Sequence, residues 1–333
     1  MKIHVHLDNL EKYKAFLKFK DAVRSFFLLN NYLELDLPIV SPVLIPESGL
    51  EVFETEYKYK QSKQNLYLTP SPELFIKRLI VSGVNDCFYL GKSFRNDELV
   101  SRKHSFEFQI LEFYKIGVDY IQFSDIVLQL LQFLAKTFFK NQEIVYQNKK
   151  ILFDKLEQIT VAGAFHKYAG INSDELFDEV KFLEKAASKK YQTNGFNYVD
   201  LWSQIYAQEV EPNLGKNGRA TIIYDFPIQF ASLAQPNEDG QTAKRFELYI
   251  EGIEIGNCFS ELTDYKIQKN RFDKEQQERK ISGKIEHQID SEFISYLEKG
   301  MPSCSGIAIG IERLGLIFCN CDNINELKIL DIY

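Results

Sequence analysis

The chain has few cysteines, no long apolar run and no excess of positive charge, and each absence closes off a class of protein. Five cysteines among 333 residues, an odd number without framework spacing, exclude a disulfide scaffold and point to a reducing compartment. Cys319 and Cys321 form a Cys-x-Cys pair, but no histidine or second cysteine pair stands near enough in sequence to suggest zinc. No apolar segment approaches the roughly 20 residues that a membrane-spanning helix needs. Met1 to His6 has no signal-peptide core, so a cytoplasmic protein is expected. A formal charge of -7 gives no general pull toward nucleic acid, although it leaves room for a local basic patch. There is no repeat and no low-complexity linker. What is present is 45% hydrophobic residues, with 27 Phe and 18 Tyr, which is ample for a large folded core.

The stretch from Arg245 to Asp264 concentrates the chemistry. It reads as two β-branched and aromatic runs joined at Glu251-Gly252, a tight-turn signal. That turn sets Ile250 opposite Ile253 and Tyr249 opposite Glu254. Side chains alternate along a strand, so Glu247 shares a face with Tyr249 and Glu254. Two carboxylates so close repel unless a cation lies between them. Oxygen ligands in this number suit Mg²⁺, which takes one or two carboxylates and keeps its waters. An amphipathic hairpin with its acids in water fits these residues equally well.

In chain order, Asp8 or Asn9 is positioned to cap a helix from Leu10 to Asn30. Tyr32–Leu37 alternates as a half-buried strand closed by Pro38. Residues 41–66 read as loop and short strand. Tyr67–Thr69 then runs into a helix with Ser71 as cap, Pro72 in its first turn and Glu73 at its start. Two strand-like runs, Cys87–Phe94 and Phe106–Ile116, flank a polar loop. Arg95 abuts the first strand, where a guanidinium fork could hold a phosphate, with Arg102, Lys103 and His104 as further cations. Glu112 and Tyr114 share one face of the second strand. A helix is expected over 119–140 and a hairpin over 143–155 around Asn148-Lys149-Lys150. Helical segments follow at 160–169, 173–189 and 198–211, the second opening with the capping pattern Asn172-x-x-Glu175. Strand returns at 220–226. The charged stretch 268–284 reads as an exposed helix with a solvated face. Gly306, Ala308 and Gly310 fall on one face of a strand and leave room for something flat, and Arg313 opens the next helix.

Taken in order, these pieces resemble the catalytic core of class II aminoacyl-tRNA synthetases. Leu35-Asp36-Leu37-Pro38 is similar to that class's first motif, which carries a dimer-interface proline. Ser93–Asn96 through Phe108–Tyr114 is similar to the second, and Gly306–Leu314 to the third. Glu254–Leu262 looks like the lysine branch. Thr69–Glu73, Val210–Lys216, Phe226-Pro227 with Ala231–Gln235, and Met301–Gly306 are similar to the branch's paralogues that lysylate elongation factor P. Lysyl-tRNA synthetases precede their core with an anticodon-binding barrel; here the core's first helix begins by residue 10.

The resemblance implies an α+β fold, an antiparallel sheet of six or seven strands flanked by helices. It implies one catalytic domain over residues 1–333, with a helical insertion at about 140–218, working as a homodimer. It further implies ATP and Mg²⁺, lysine or (R)-β-lysine as substrate and elongation factor P as acceptor, with tRNA not expected. Arg95 would grip the α-phosphate and Arg313 the γ-phosphate; these two are the catalytic residues. Asn96, Asp97, His104, Ser105, Phe108, Glu254, Ile255 and Gly310 would complete the ATP site, with the adenine against Phe108. Glu247 and Glu254 would hold Mg²⁺. Glu73 and Glu261 would receive the side-chain ammonium beside Tyr114, with Ser71, Pro72, Glu112, Asn257 and Ala308 lining the same pocket. The methyl of Ala308, where the lysine branch usually has glycine, would favour the β-isomer. Departures exist: Asp97 and Glu98 compete for one acidic role, Ser105-Phe106 replaces Asn-Pro, and Cys258 replaces a glycine. Two rival readings are a truncated lysyl-tRNA synthetase and a regulator that kept the fold without the chemistry.

Overall fold

The apolar runs beside the polar loop pair as antiparallel strands, Cys87–Phe94 and Glu107–Ile116, in unbroken register from Cys87 opposite Tyr114 to Phe94 opposite Glu107. The computed structural model describes residues 2–332. One compact unit is formed by the chain up to Asp119 together with everything from Glu261 onward, and a second by Tyr120–Ser260.

In the first unit the strand order is Cys304–Gly310, Glu107–Ile116, Cys87–Phe94, Leu33–Glu34. Only the short Leu33–Glu34 strand runs parallel to its neighbour. The helix Leu10–Leu29 buries Phe16, Phe19, Ala22, Val23, Phe26 and Phe27, the three-and-four spacing of one helix face. Phe27 lies 4.8 Å from the Phe88 ring and 4.6 Å from that of Phe113 (centroid to centroid), so the helix packs on the strands through aromatic contacts. Neither expected cap acts as one. Asn9 turns its amide to the carbonyls of Asn325 and Lys328, at 2.9 and 3.0 Å, tying the helix start to the distal segment. The helix Ile311–Phe318 comes close because Gly315 has no side chain: a Cβ there would stand 2.6 Å from Phe16 Cε2.

Three expectations in this unit need correction. Residues 41–66 hold a hairpin, Glu54–Tyr59 with Ser62–Leu68, whose strands are mostly exposed and so lack the apolar alternation that would reveal them. The strand expected over Tyr32–Leu37 shrinks to Leu33–Glu34. The charged helix, Tyr265–Ile281, is more than a solvated face. Its Arg279 is 2% exposed and donates to the carbonyls of Glu47, Leu50 and Ile285, with an ion pair to Glu51 at 3.2 Å.

In the second unit the order is Glu157–Thr160, Thr221–Pro227, Thr242–Ile250, Ile253–Ser260, with the first pair parallel and the others antiparallel. Each unit's strands are therefore mixed in direction, not purely antiparallel. The helix Tyr120–Phe139 lies where the periodicity places it. The 143–155 hairpin turns at Gln147-Asn148, both at positive φ, one step earlier than expected. The helical segments are Val161–Ala164, Ser173–Leu176, Glu179–Ser188 and Tyr198–Ile205, with π turns at Phe165–Ala169 and Tyr206–Val210. The Asn172/Glu175 capping box forms as read. These segments converge on Trp202, whose ring lies 4.7 Å from Tyr206 and 4.1 Å from Phe230. The acidic hairpin turns on Glu251 and Gly252 at φ 52° and 70°, the left-handed pair that a two-residue hairpin turn requires. Among the described residues no helix is long and apolar enough to cross a membrane.

Gly315→Ala forces Phe16 aside and is expected to lower stability by about 1–3 kcal/mol, read as an earlier urea midpoint. An unchanged midpoint would contradict the packing described.

Candidate active site

Arg95 leaves the Cys87–Phe94 strand with its backbone N–H on the Phe106 carbonyl at 2.9 Å, which closes the base of the loop. Its guanidinium lies over the Phe108 ring, 5.2 Å from the centroid. Arg95 Nε is buried and, among the described residues, has no hydrogen-bond acceptor. A buried donor without a partner is costly, and an anionic oxygen would relieve it. Asn96 pins the loop to the chain at Glu51 and Val52, with contacts of 2.9 and 3.3 Å. Asp97 is exposed at φ 56°, and Glu98 is half-buried beside it. His104 Nδ1 meets the Ser101 hydroxyl at 2.9 Å, and Ser105 accepts from Lys328 at 3.4 Å.

Arg313 joins this loop, its Nε donating to the Lys103 carbonyl at 3.3 Å. The neighbouring Glu312 is what places it. Glu312 is buried and accepts the Gln109 N–H on both oxygens at 3.1 and 2.9 Å, stapling the helix to the Glu107–Ile116 strand. Burial raises its carboxyl above the usual range. A Cβ at Gly310 would meet the Arg313 stem first, at 3.5 Å. At Gly306 the flat object expected against the strand is a protein ring: a Cβ there would stand 2.4 Å from Tyr114 Cε1.

That ring belongs to a buried acid cluster. Register puts Gly306 opposite Tyr114 and Ala308 opposite Glu112. Glu112 is 2% exposed, and its two oxygens accept from the Tyr114 hydroxyl at 2.9 Å and the Ser71 hydroxyl at 2.7 Å. Ser71 also accepts the Glu73 N–H at 3.1 Å, so it braces the helix start one position before the N-cap, which is Pro72. Glu73 and Glu261, 7% and 1% exposed, both reach the ammonium of Lys77, Glu261 at 2.5 Å. Burial raises the carboxyls of Glu112 and Glu261 to about 8, the Glu73 charge adding to it and Lys77 opposing it. Lys77 itself is held above its ordinary value, since burial is outweighed by the Glu261 and Glu73 carboxylates.

In the second unit the acidic hairpin is built around a cation that the sequence reading did not single out. A register shift between Leu248 and Tyr249 sets Glu247 opposite Asn257, while Tyr249 faces Glu254 as expected. Arg245 lies between the Phe226 and Phe259 rings, 4.4 and 5.6 Å from their centroids. It donates to Glu247 Oε1 at 2.6 Å, to Asn257 Oδ1 at 3.0 Å and to the Phe230 carbonyl at 2.7 Å. The Tyr206 and Tyr249 hydroxyls donate to Glu247 Oε2 at 3.0 and 2.8 Å. Burial raises the Glu247 carboxyl, Arg245 opposes the rise and Glu254 adds to it. Ile255 is 1% exposed, so its side chain packs within the unit.

Among the described residues no three His, Cys, Asp or Glu side chains form a metal cage. The hairpin still fits Mg²⁺. Glu247 and Glu254 are two acids that feel each other's charge, and Glu247 keeps acceptor capacity on Oε1 beyond its Arg245 bond. Lys77, Glu312 and Arg245 are the residues the sequence reading missed. Lys77 carried a signal in its i, i+4 spacing from Glu73.

Residues 3–330 match the family described as tRNA synthetases class II (D, K and N), and the chain belongs to that family of ligases. Its relatives include the elongation factor P--(R)-beta-lysine ligase of Avibacterium paragallinarum. That enzyme is 34% identical over 311 residues, which cover 92% of this chain and 90% of the relative.

Arg245→Met strips the buried Glu247 of its cation and is expected to cost about 3–5 kcal/mol. The sign with pH follows from the raised carboxyl: protonation relieves the uncompensated charge, and stability is lost as pH rises through the folded-state value. Urea unfolding should therefore show a larger loss at pH 8 than at pH 5; a loss independent of pH would contradict it.

Proposed function

We propose that the protein uses ATP to activate (R)-β-lysine, or lysine, as an aminoacyl-adenylate and transfers the acyl group to a lysine side chain of elongation factor P. The observation that carries this reading is the acid cluster of Glu73, Glu112 and Glu261 with Tyr114, a buried environment that suits an amine. The name of the Avibacterium relative supports the choice of isomer and acceptor.

The chemistry needs no protein nucleophile. The amino-acid carboxylate attacks the α-phosphorus and pyrophosphate leaves; the acceptor amine then attacks the acyl carbon and AMP leaves. Positioning and charge supply the rate. Arg95 offers its unsatisfied N–H to an α-phosphate oxygen, and Arg313 offers a second guanidinium to the γ-phosphate. Asn96, Asp97, His104, Ser105 and Gly310 surround the nucleotide with Phe108 beside the adenine. Glu247 and Glu254 would hold Mg²⁺, which would supply positive charge toward phosphate oxygens. Ser71 and Pro72 shape the amine pocket, and Ala308 narrows it with a methyl. Two copies of this chain pair as a homodimer. Supporting this, exposed apolar side chains crowd the N-terminal segment, among them Val5, Leu7, Leu28, Leu29 and Leu33.

Two outcomes test the reading. Arg95→Ala and Arg313→Ala should each lower amino-acid-dependent ATP–pyrophosphate exchange by about 100-fold or more, and wild-type exchange that no lysine isomer supports would overturn it. Leu29→Lys combined with Leu33→Lys should convert a dimer to a monomer by light scattering, whereas a monomeric wild type would remove the dimer.

A further inference from the structure

The acid cluster has three carboxyls and a single resident ammonium, and the way they are divided is informative. Lys77 is 1% exposed and is shared by Glu73 and Glu261, whereas among the described residues Glu112 is hydrogen-bonded by the hydroxyls of Ser71 and Tyr114 and makes no ion pair. We propose that Lys77 is a built-in counter-ion shared by Glu73 and Glu261, so that the incoming ammonium is matched by Glu112, which releases a proton to solvent as the amino acid binds. This rests on reading the cluster as the amino-acid pocket.

The charges decide the assignment. The groups facing Glu112 are Glu73 and Lys77 from the Glu73–Val81 helix, Cys87 and Tyr89 from the adjacent strand, and Tyr114 on its own strand. Glu261 faces it from the segment after the acidic hairpin, and Cys304 lies against Glu261 and Lys77. Lys77 is the cation among them. Three buried carboxylates around one ammonium would carry an uncompensated double negative charge, which a buried site does not sustain. Neutrality around one ammonium leaves two of the three acids protonated: Glu112, which makes no ion pair among the described residues, and one of the two that share Lys77. Burial raises both Glu112 and Glu261 to about 8, in agreement. Once an ammonium arrives, the Glu112 carboxylate accepts from it and from both hydroxyls, and the neutral form loses its advantage. The step balances: a carboxylic acid and an ammonium ion become an ion pair and one free proton.

Calorimetric titration of the full chain with (R)-β-lysine and with L-lysine, in buffers of different ionisation enthalpy at pH 7, counts that proton. The expected slope is about one proton released per ligand bound, as a carboxyl with a value near 8 requires. Glu112→Gln should bind more weakly and release almost none. Lys77→Met should release more than the wild type, because the cluster then has no resident cation to match its carboxyls. Measurable wild-type binding with no buffer dependence, or undiminished release from Glu112→Gln, overturns the proposal. So does a folded Lys77→Met with unchanged release; should that variant not fold, the wild-type and Glu112→Gln slopes decide. Absence of binding heat for both amino acids instead sinks the pocket reading itself.

Discussion

The ammonium of Lys77, buried between the carboxylates of Glu73 and Glu261, ties a helix start to a segment nearly two hundred residues further along. Removing one partner of such a buried pair typically costs about 3–5 kcal/mol, because the other charge is left without compensation. The same arrangement fixes the chemistry. It orients two acids and leaves the third, Glu112, without a cation in an environment that disfavours its charge. Ser71 links the two by donating to Glu112 while accepting the N–H of Glu73. On the proposed reading, folding energy and amine recognition depend on the same few atoms.

The acidic hairpin follows a parallel rule. Glu247 is buried only because Arg245, Tyr206 and Tyr249 supply donors to both of its oxygens, and Arg245 is itself held between two rings. In each unit a carboxylate that would repel its neighbours is set in place by a protein cation. In contrast, Arg95 has a donor without an acceptor among the described residues. An anionic oxygen would satisfy the Arg95 donor, in keeping with the phosphate role proposed for it.

Much of this was legible in the sequence because it rests on local chemistry. The Glu251-Gly252 turn, the Asn172/Glu175 capping box, the paired strands around Arg95 and the helix at Arg313 all follow from short-range spacing. The synthetase resemblance also grouped Glu73, Glu112 and Glu261, and the three cluster. What was hidden depends on long-range partners. Lys77 looked like one more helical lysine, since nothing near it in sequence announces Glu261. Arg279 looked solvated, yet its carbonyl acceptors lie in loops at 47–50 and 285. Asn9 looked like a cap, but its amide serves the distal segment. The hairpin at 54–68 was invisible because its mostly exposed faces leave no apolar alternation to read.

Intact-mass measurement of elongation factor P, produced with and without this protein, tests the central claim most directly. The account predicts the addition of one lysyl group to a single lysine side chain, dependent on Arg95. Unmodified elongation factor P in the presence of active protein, together with aminoacylated tRNA, would contradict it.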